Sequence, residues 1–118
     1  MKNLTLSLVS VGMVLGLIVF SFGCHSKGGE KELTFKVYGN CEMCKKTIES
    51  SLEKDKGIAS ASWNVDTKMM KVLYDPAATN EKEIYHLIAE SGYDTEQEKA
   101  AEKTYKSLPA CCQYERKK

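Results

Sequence analysis

The 118-residue chain has little histidine, little proline and almost no net charge. It contains no Ser-His-Asp set, no P-loop and no GxGxxG motif, so we do not expect an enzyme. Its 17 basic residues against 16 acidic ones give a formal charge of +1. A nucleic-acid partner would call for a basic excess, and we expect none. The two prolines, Pro76 and Pro109, are poorly placed to face a cysteine pair, which weighs against a thioredoxin-like fold.

Cysteine, by contrast, is plentiful, with five residues. Cys41 and Cys44 form a C-x-x-C pair, and Cys111 and Cys112 are adjacent near the end of the chain. A structural zinc site usually takes four ligands from two separated pairs of suitable spacing. Because the chain has only one C-x-x-C, we do not expect a self-contained zinc site of that kind.

Residues 1–23 have the pattern of a secretory signal. Lys2 precedes an uncharged run that is apolar at its centre, from Val11 to Phe20, and small residues follow. The run is also long enough for an uncleaved transmembrane anchor. Both interpretations place the rest of the chain in the cell envelope, outside the cytoplasm.

The end of this run, Ser21-Phe22-Gly23-Cys24, resembles the lipobox of bacterial lipoproteins, whose cysteine is lipidated and becomes the first mature residue. Gly23 fits that pattern, whereas Ser21 stands where the family usually has leucine. We predict that Cys24 is lipidated and anchors a periplasm-facing protein to the membrane. Residues 24–31, which include two glycines, then serve as a tether. The alternative is a chance cysteine after an ordinary signal.

Residues 32–98 begin with a strand pattern that turns into a helix pattern. Leu33, Phe35 and Val37 alternate with polar or amphipathic residues, as in a half-buried strand. Cys44 and Ile48 then begin a four-residue spacing that continues to the helix end, which places them on one helical face. The loop between the two elements therefore holds Cys41, and Cys44 falls in the first helical turn.

A hairpin, a second helix and a weak fourth strand complete the predicted domain. In the second strand we expect Ala59, Ala61 and Trp63 to share one face; a short polar turn joins it to the third strand. Asn80 begins the second helix, and a mostly polar fourth strand follows around 93–98. The order β-α-β-β-α-β predicts an α+β fold, the ferredoxin-like sandwich.

With these residues in view, residues 33–94 resemble a heavy-metal-associated (HMA) domain, as found in copper chaperones, P-type ATPase modules and the periplasmic mercury-binding protein. The family motif G-M-T-C-x-x-C corresponds to residues 38–44. Both ligand cysteines carry over, onto Cys41 and Cys44. Gly39 and Asn40 replace the motif's methionine and threonine; in the family, that methionine packs into the core beneath the loop. Tyr93 matches a bacterial pattern in which an aromatic residue shields the metal loop.

We therefore predict a module that binds a soft metal ion through Cys41 and Cys44 and carries or sequesters it. Two thiolates suit Cu(I) first, with Hg(II), Ag(I) and Zn(II) as alternatives. Because a thiolate is favoured at a helix amino terminus, we expect Cys44 to be the more acidic thiol. The predicted partner is a metal donor or acceptor such as a metal transporter. A mercury scavenger and a thiol–disulfide redox protein of the envelope are the competing functions. His86 and Met43 are interpreted as surface or packing residues.

Residues 99–118 form a tail outside the usual domain limits. A helix-capable segment leads into it, so the tail can reach back over the domain. Adjacent cysteines have Cα atoms about 3.8 Å apart, short of the roughly 4.4–6.8 Å of most disulfides. We predict that Cys111 and Cys112 form an auxiliary metal site or complete the first one. The alternatives are a bridge to Cys41 or Cys44, and a disordered tail with incidental thiols.

Overall fold

The computed structural model describes residues 29–118. The predicted signal and Cys24 lie outside these residues. No helix in the described range is long and apolar enough to cross a membrane. In chain order the elements are β1 (Lys31–Lys36), α1 (Glu42–Leu52), β2 (Ile58–Trp63), β3 (Met69–Tyr74), α2 (Glu81–Glu90), α3 (Glu102–Lys106) and a 3-10 turn (Ala110–Cys112).

Within this range the three strands form one antiparallel sheet in the order β1-β3-β2. The central strand, β3, pairs Met70 with Phe35 on one side and with Trp63 on the other. These three side chains are buried and belong to one core cluster with the inward faces of α1 and α2. Alternation along the strands therefore supplies one wall of the core and the two helices the other. This is the predicted α+β arrangement.

The inward positions of the helices follow the predicted spacing. Cys44, Ile48 and Leu52 of α1 are fully buried, and so are Ile84 and Ile88 of α2. The second helix begins as predicted, because the Asn80 side chain accepts a hydrogen bond from the backbone N–H of Glu83 at 3.0 Å.

The second strand departs from the expected face. Ala59 is exposed, whereas Trp63 is fully buried and Ala61 is half-buried. The pairing with β3 shifts register between Ile58 and Ser60, and a bulge of this kind interrupts the alternation of side chains. The prediction that Ala59 shares the face of Trp63 is therefore wrong.

The predicted fourth strand is reduced, among the described residues, to a single bridge between Val37 and Thr95. Hydrogen bonds from the backbone to the side chains of Thr95 and Asp94 form a turn that ends the strand. The hydroxyl of Thr95 accepts hydrogen bonds from the backbone N–H groups of residues 97 and 98, at 3.2 and 2.9 Å. The carboxylate of Asp94 accepts one from the N–H of Ala100 at 2.7 Å. Short polar side chains thus bend the backbone away from the strand edge.

The tail packs on the domain through Tyr114, a buried residue. Its hydroxyl accepts a hydrogen bond from the backbone N–H of Asp94 at 2.7 Å and donates one to the carbonyl of Gly92 at 3.0 Å. Its ring stacks on Tyr93 with centroids 5.7 Å apart. The ring of Tyr105 meets it edge-on at 5.1 Å. These contacts fix the tail next to Asp94, where the turn that replaces the predicted fourth strand begins.

An ion pair closes the same region. Arg116 holds both carboxylate oxygens of Asp94, at 2.9 Å from Nε and 2.8 Å from Nη2. Arg116 also donates to the carbonyl of Ala100 at 2.7 Å. Asp94 is almost fully buried, and a buried carboxylate needs such a partner because desolvation otherwise disfavours its charge. The end of the chain is therefore a folded part of the domain.

Candidate metal centre

The C-x-x-C loop lies where β1 gives way to α1. Cys41 is the N-cap of α1 with an extended backbone (φ −152°, ψ 175°), and Cys44 lies in the first turn. Their sulfur atoms are 3.5 Å apart. Cys44 is fully buried, and its sulfur accepts a hydrogen bond from the backbone N–H of Asn40 at 3.3 Å. The structure places both predicted ligands side by side at a helix amino terminus.

Trp63 supports this loop from below. A Cβ atom on Gly39 would lie 2.9 Å from Cη2 of the indole and 3.3 Å from the Cβ of Cys44. The indole Nε1 donates to the carbonyl groups of Val37 and Lys68, each at 3.1 Å, so the ring cannot move away freely. The space beside Gly39, where the family motif has methionine, is thus taken by the indole of Trp63.

The electrostatics of the loop act on the Cys41 thiol. Its pKa lies below the ordinary value, chiefly because the backbone N–H of Cys44 faces its sulfur; the Cys44 thiol contributes next. The prediction that Cys44 is the more acidic thiol stays a prediction. Cys41 is the N-cap of α1, where the first backbone N–H groups of the helix have no partner within the helix.

The tail brings the second cysteine pair to the loop. The side-chain amide of Asn40 donates to the carbonyl of Cys111 at 3.4 Å, and the Cys41 thiol donates to the same carbonyl at 3.7 Å. The sulfur atoms of Cys41, Cys111 and Cys112 all lie within 4.8 Å of one another, with 3.8 Å between Cys111 and Cys112. Four thiols therefore share one end of the domain.

Cys112 and the neighbouring Tyr93 are the buried residues on the inner side of this cluster. Cys112 is 1% exposed, and burial raises its pKa to about 12. The hydroxyl of Tyr93, also buried, has no hydrogen-bond partner among the described residues. It lies near the sulfur atoms of Cys44 and Cys112, and burial together with these neighbours raises its pKa. The aromatic residue expected to shield the loop is therefore buried beside two of its sulfur atoms.

The two residues interpreted from the sequence as surface or packing residues, His86 and Met43, are both exposed, and Met43 borders the thiol cluster. His86 is exposed on α2 and its Nδ1 is 2.9 Å from the carboxylate of Glu98. Met43 is 53% exposed, and its thioether sulfur is 3.8 Å from the sulfur of Cys111.

Sequence reasoning missed the residues that hold the tail and the loop in place. Tyr114, Arg116 and Trp63 act through contacts with residues distant in sequence. Asn40 was noted only as a departure from the family motif. The one local signal was the Tyr114 ring two residues after the cysteine pair, an aromatic residue that a disordered tail does not require.

Comparison with known proteins agrees with this geometry. A family model described as "Heavy-metal-associated domain" matches residues 34–94. Over 62 residues the chain is 42% identical to a zinc-transporting ATPase of Synechocystis sp., covering 52% of this chain and 9% of that protein. Over 60 residues it is 37% identical to the copper chaperone CopZ of Staphylococcus epidermidis, covering 50% of this chain and 88% of the chaperone.

A solved structure titled "CopZ metallochaperone" has the same fold, with a TM-score of 0.53 and 29% identity over 55% of this chain and 98% of that one. The ferredoxin-like prediction is thereby confirmed. The family match ends at residue 94, so Cys111 and Cys112 lie beyond it. The ATPase is matched only over a small part of its length, and the similarity to it concerns a single domain.

Proposed function

Because the chain belongs to the heavy-metal-associated domain family, we propose that it binds one soft metal ion, Cu(I), through Cys41 and Cys44 and delivers it to a partner protein. The observation that carries this proposal is the pair of sulfur atoms, 3.5 Å apart, at the amino terminus of α1.

The donor set and its surroundings favour a soft monovalent ion. Two thiolates around Cu(I) leave the site with one negative charge, and the amino terminus of a helix stabilises such a charge. Thiolate ligands select Cu(I) over harder ions. No carboxylate belongs to the sulfur cluster formed by the described residues, so hard divalent cations such as Mg²⁺ find no suitable ligands there.

Transfer requires an open side, and the loop has one. Cys41 is partly exposed, and Met43 beside it is 53% exposed. A partner thiolate can approach the ion there, bind it and displace the chain's own thiolates in turn, with no change in oxidation state. Relatives of this chain are a copper chaperone and a zinc-transporting ATPase. We take a metal transporter, or a second domain of this family, as the partner and assign no catalytic step to the chain.

The experiment isolates the loop pair from the tail. The full chain, purified in mild detergent and kept reduced without oxygen, carries Cys111→Ser and Cys112→Ser, and Cu(I) is titrated against a competing chelator. We expect one Cu(I) per chain. Adding Cys41→Ser or Cys44→Ser to that background should abolish competitive binding, because a single thiolate cannot chelate. A Cys24→Ser change in the same background serves as the matched control and should bind as before.

If the Cys111→Ser/Cys112→Ser variant failed to compete with the chelator for Cu(I), the assignment would be contradicted. Full binding after Cys41→Ser or Cys44→Ser is added to that variant would contradict it as well. The rival redox function makes a different prediction: a reversible Cys41–Cys44 disulfide with a defined potential and only weak binding of Cu(I). Titrating the same variant with a glutathione redox buffer measures that potential.

Zinc is the second candidate ion. Its specific support is the 42% identity to a zinc-transporting ATPase and the presence of four thiols at one end of the domain, since Zn(II) favours four thiolates in a tetrahedron. Titration of the parent chain with Zn(II) under the same chelator competition discriminates between the two ions. Zinc bound by all four cysteines should depend on every one of them.

We also propose that the protein works in the cell envelope, held by a lipid on Cys24. The support is the apolar run that precedes Gly23-Cys24 in the sequence and the tether composition after it. Stable attachment by more than one acyl chain is physically reasonable. Mass spectrometry of the mature amino terminus should find an acylated Cys24, and Cys24→Ala should release the protein from membranes. An unmodified terminus, or undiminished membrane retention in the variant, would contradict this proposal.

A further inference from the structure

The Cys111–Cys112 pair is unused by the loop site and lies beyond the matched domain. It is nevertheless held against the loop, because the Asn40 amide donates to the carbonyl of Cys111 at 3.4 Å. The Cys41 thiol approaches the same carbonyl at 3.7 Å. Contacts between residues about 70 apart in sequence are not a consequence of local chain geometry.

The anchors of the tail pre-position the pair. Tyr114 lies two residues after Cys112, and its hydroxyl bridges two backbone groups of the domain. Arg116 follows with its two bonds to Asp94. The segment is therefore already ordered when the domain folds. An ion that binds its sulfur atoms does not have to offset the entropy cost of ordering it.

The sulfur spacing fits a three-coordinate ion. Three thiolates at about 2.3 Å from a central ion in a plane lie about 4.0 Å from one another. In the structure the sulfur atoms of Cys111 and Cys112 are 3.8 Å apart, and neither of their two distances to the sulfur of Cys41 exceeds 4.8 Å. Adjustments of less than about 1 Å, within the reach of a χ1 change, close the triangle.

The chemistry of the pair favours ligation over a disulfide. Neighbouring cysteines have Cα atoms about 3.8 Å apart, and most disulfides need roughly 4.4–6.8 Å. The buried hydroxyl of Tyr93 supplies an independent sign. It has no partner among the described residues and lies near Cys112 and Cys44. A phenol donates a hydrogen bond to a thiolate, so metal binding that ionises Cys112 gives this buried group an acceptor.

We propose that Cys41, Cys111 and Cys112 form a three-thiol site for a soft monovalent ion, overlapping the loop pair at Cys41. This inference rests on the proposed function and extends it. The ion is held by three thiolates at rest, and the Cys41–Cys44 pair is the two-thiolate site that remains when the tail sulfur atoms let go. The tail thereby increases affinity and slows loss of the ion.

The test uses the full chain in detergent, reduced and anaerobic, loaded with one equivalent of Cu(I). X-ray absorption at the copper edge counts the sulfur ligands, and chelator competition measures affinity. The parent chain should show three sulfur ligands. Cys111→Ser/Cys112→Ser should show two, with at least about tenfold weaker binding, because a pre-positioned thiolate acts at high effective concentration. Cys44→Ser should still hold copper with three sulfur ligands.

Controls keep the result interpretable. Cys24→Ser removes a cysteine outside the cluster and should match the parent in both measurements. If replacing the buried Cys112 disturbs folding, Cys111→Ser alone takes the place of the double variant, because Cys111 is exposed and its loss should still lower the sulfur count. Circular dichroism checks the fold of each variant.

Two sulfur ligands in the parent, with affinity equal to that of the tail variant, would overturn the three-thiol site and leave the loop site standing. Loss of all copper in Cys44→Ser would do the same. A tail variant that fails to compete for Cu(I) while the parent binds it through three sulfur atoms would support the three-thiol site and overturn the loop site instead. A parent chain that cannot compete with the chelator would overturn both proposals.

Discussion

Removing one hydroxyl, by Tyr114→Phe, tests whether the tail is a fixed part of the domain. The hydroxyl accepts from the N–H of Asp94 at 2.7 Å and donates to the carbonyl of Gly92 at 3.0 Å. Phenylalanine keeps the ring and its stacking on Tyr93. The substitution therefore isolates the two hydrogen bonds from the packing.

The magnitude follows from what the missing hydroxyl leaves behind. A buried polar group without a partner costs about 1–3 kcal/mol. The substitution leaves two such groups, the N–H of Asp94 and the carbonyl of Gly92. A carbonyl tolerates a lost partner better than an N–H does, so we expect a loss of about 2–4 kcal/mol in the free energy of unfolding. A domain of this size has roughly 5–15 kcal/mol in total, and the variant should remain folded.

Two measurements check this expectation. Urea denaturation followed by circular dichroism gives the free energy of unfolding. Mass spectrometry after brief alkylation reports how often the tail opens and exposes Cys112. Each 1.4 kcal/mol is a factor of ten in an equilibrium, so labelling of Cys112 should rise at least about tenfold. Tyr85→Phe is the matched control, because no hydrogen bond of its hydroxyl occurs among residues 29–118, and it should change stability by less than about 0.5 kcal/mol.

A stability loss below about 0.5 kcal/mol together with unchanged labelling of Cys112 would refute the reasoning. It would mean that the tail is held elsewhere or not held at all. A loss of stability without extra labelling would place the effect on global unfolding and contradict local opening of the tail.

Two shorter predictions concern the loop. Gly39→Ala should cost about 1–3 kcal/mol in urea denaturation, because the new Cβ would lie 2.9 Å from the buried indole of the tryptophan; an unchanged midpoint would contradict the close fit. In the second, alkylation between pH 7 and 9 should modify Cys41 well before Cys112. The pKa of Cys41 is lowered by the neighbouring backbone N–H, so its reactive thiolate persists as the pH falls. Burial raises the pKa of Cys112 to about 12, so its thiolate is scarce until the pH approaches that value. Equal labelling of both at pH 8 would contradict this order.

The loop was predictable from sequence because its determinants are local. A strand pattern ends, a C-x-x-C follows and a helical spacing begins, so the positions of Cys41 and Cys44 follow from neighbours within a few residues. The finer electrostatics were not predictable in this way. The lowered pKa of Cys41 depends on the placement of its thiol at the N-cap, where the backbone is extended, and residue spacing carries no information about that backbone angle.

The fourth strand and the face of Ala59 show a different limit. Element order predicted a strand around residues 93–98, but Asp94 and Thr95 use their side chains to form turns with backbone groups ahead of them. Short polar side chains of this kind compete with strand pairing. The bulge after Ile58 likewise shifts the alternation of side chains, and a pattern of period two cannot reveal a single inserted residue.

The tail was the least predictable feature, because its anchors are long-range. The partners of Tyr114 and Arg116 lie about 20 residues earlier in the chain, and nothing in the residues around them specifies that contact. The adjacent cysteines were a visible sign of chemistry. Their position against the loop required the structure.

The departures from the family motif and the presence of the tail are physically connected. Asn40, in place of threonine, reaches the carbonyl of Cys111 with its amide, a longer reach than a hydroxyl has. Gly39, in place of methionine, leaves the space that Trp63 fills. The loop is thus fitted to this chain's own tryptophan and tail. Because Tyr114 and Arg116 bind Gly92 and Asp94 rather than the thiols, the tail should stay docked when its cysteines are replaced by serine. Changes in metal affinity in those variants can therefore be attributed to the lost sulfur ligands.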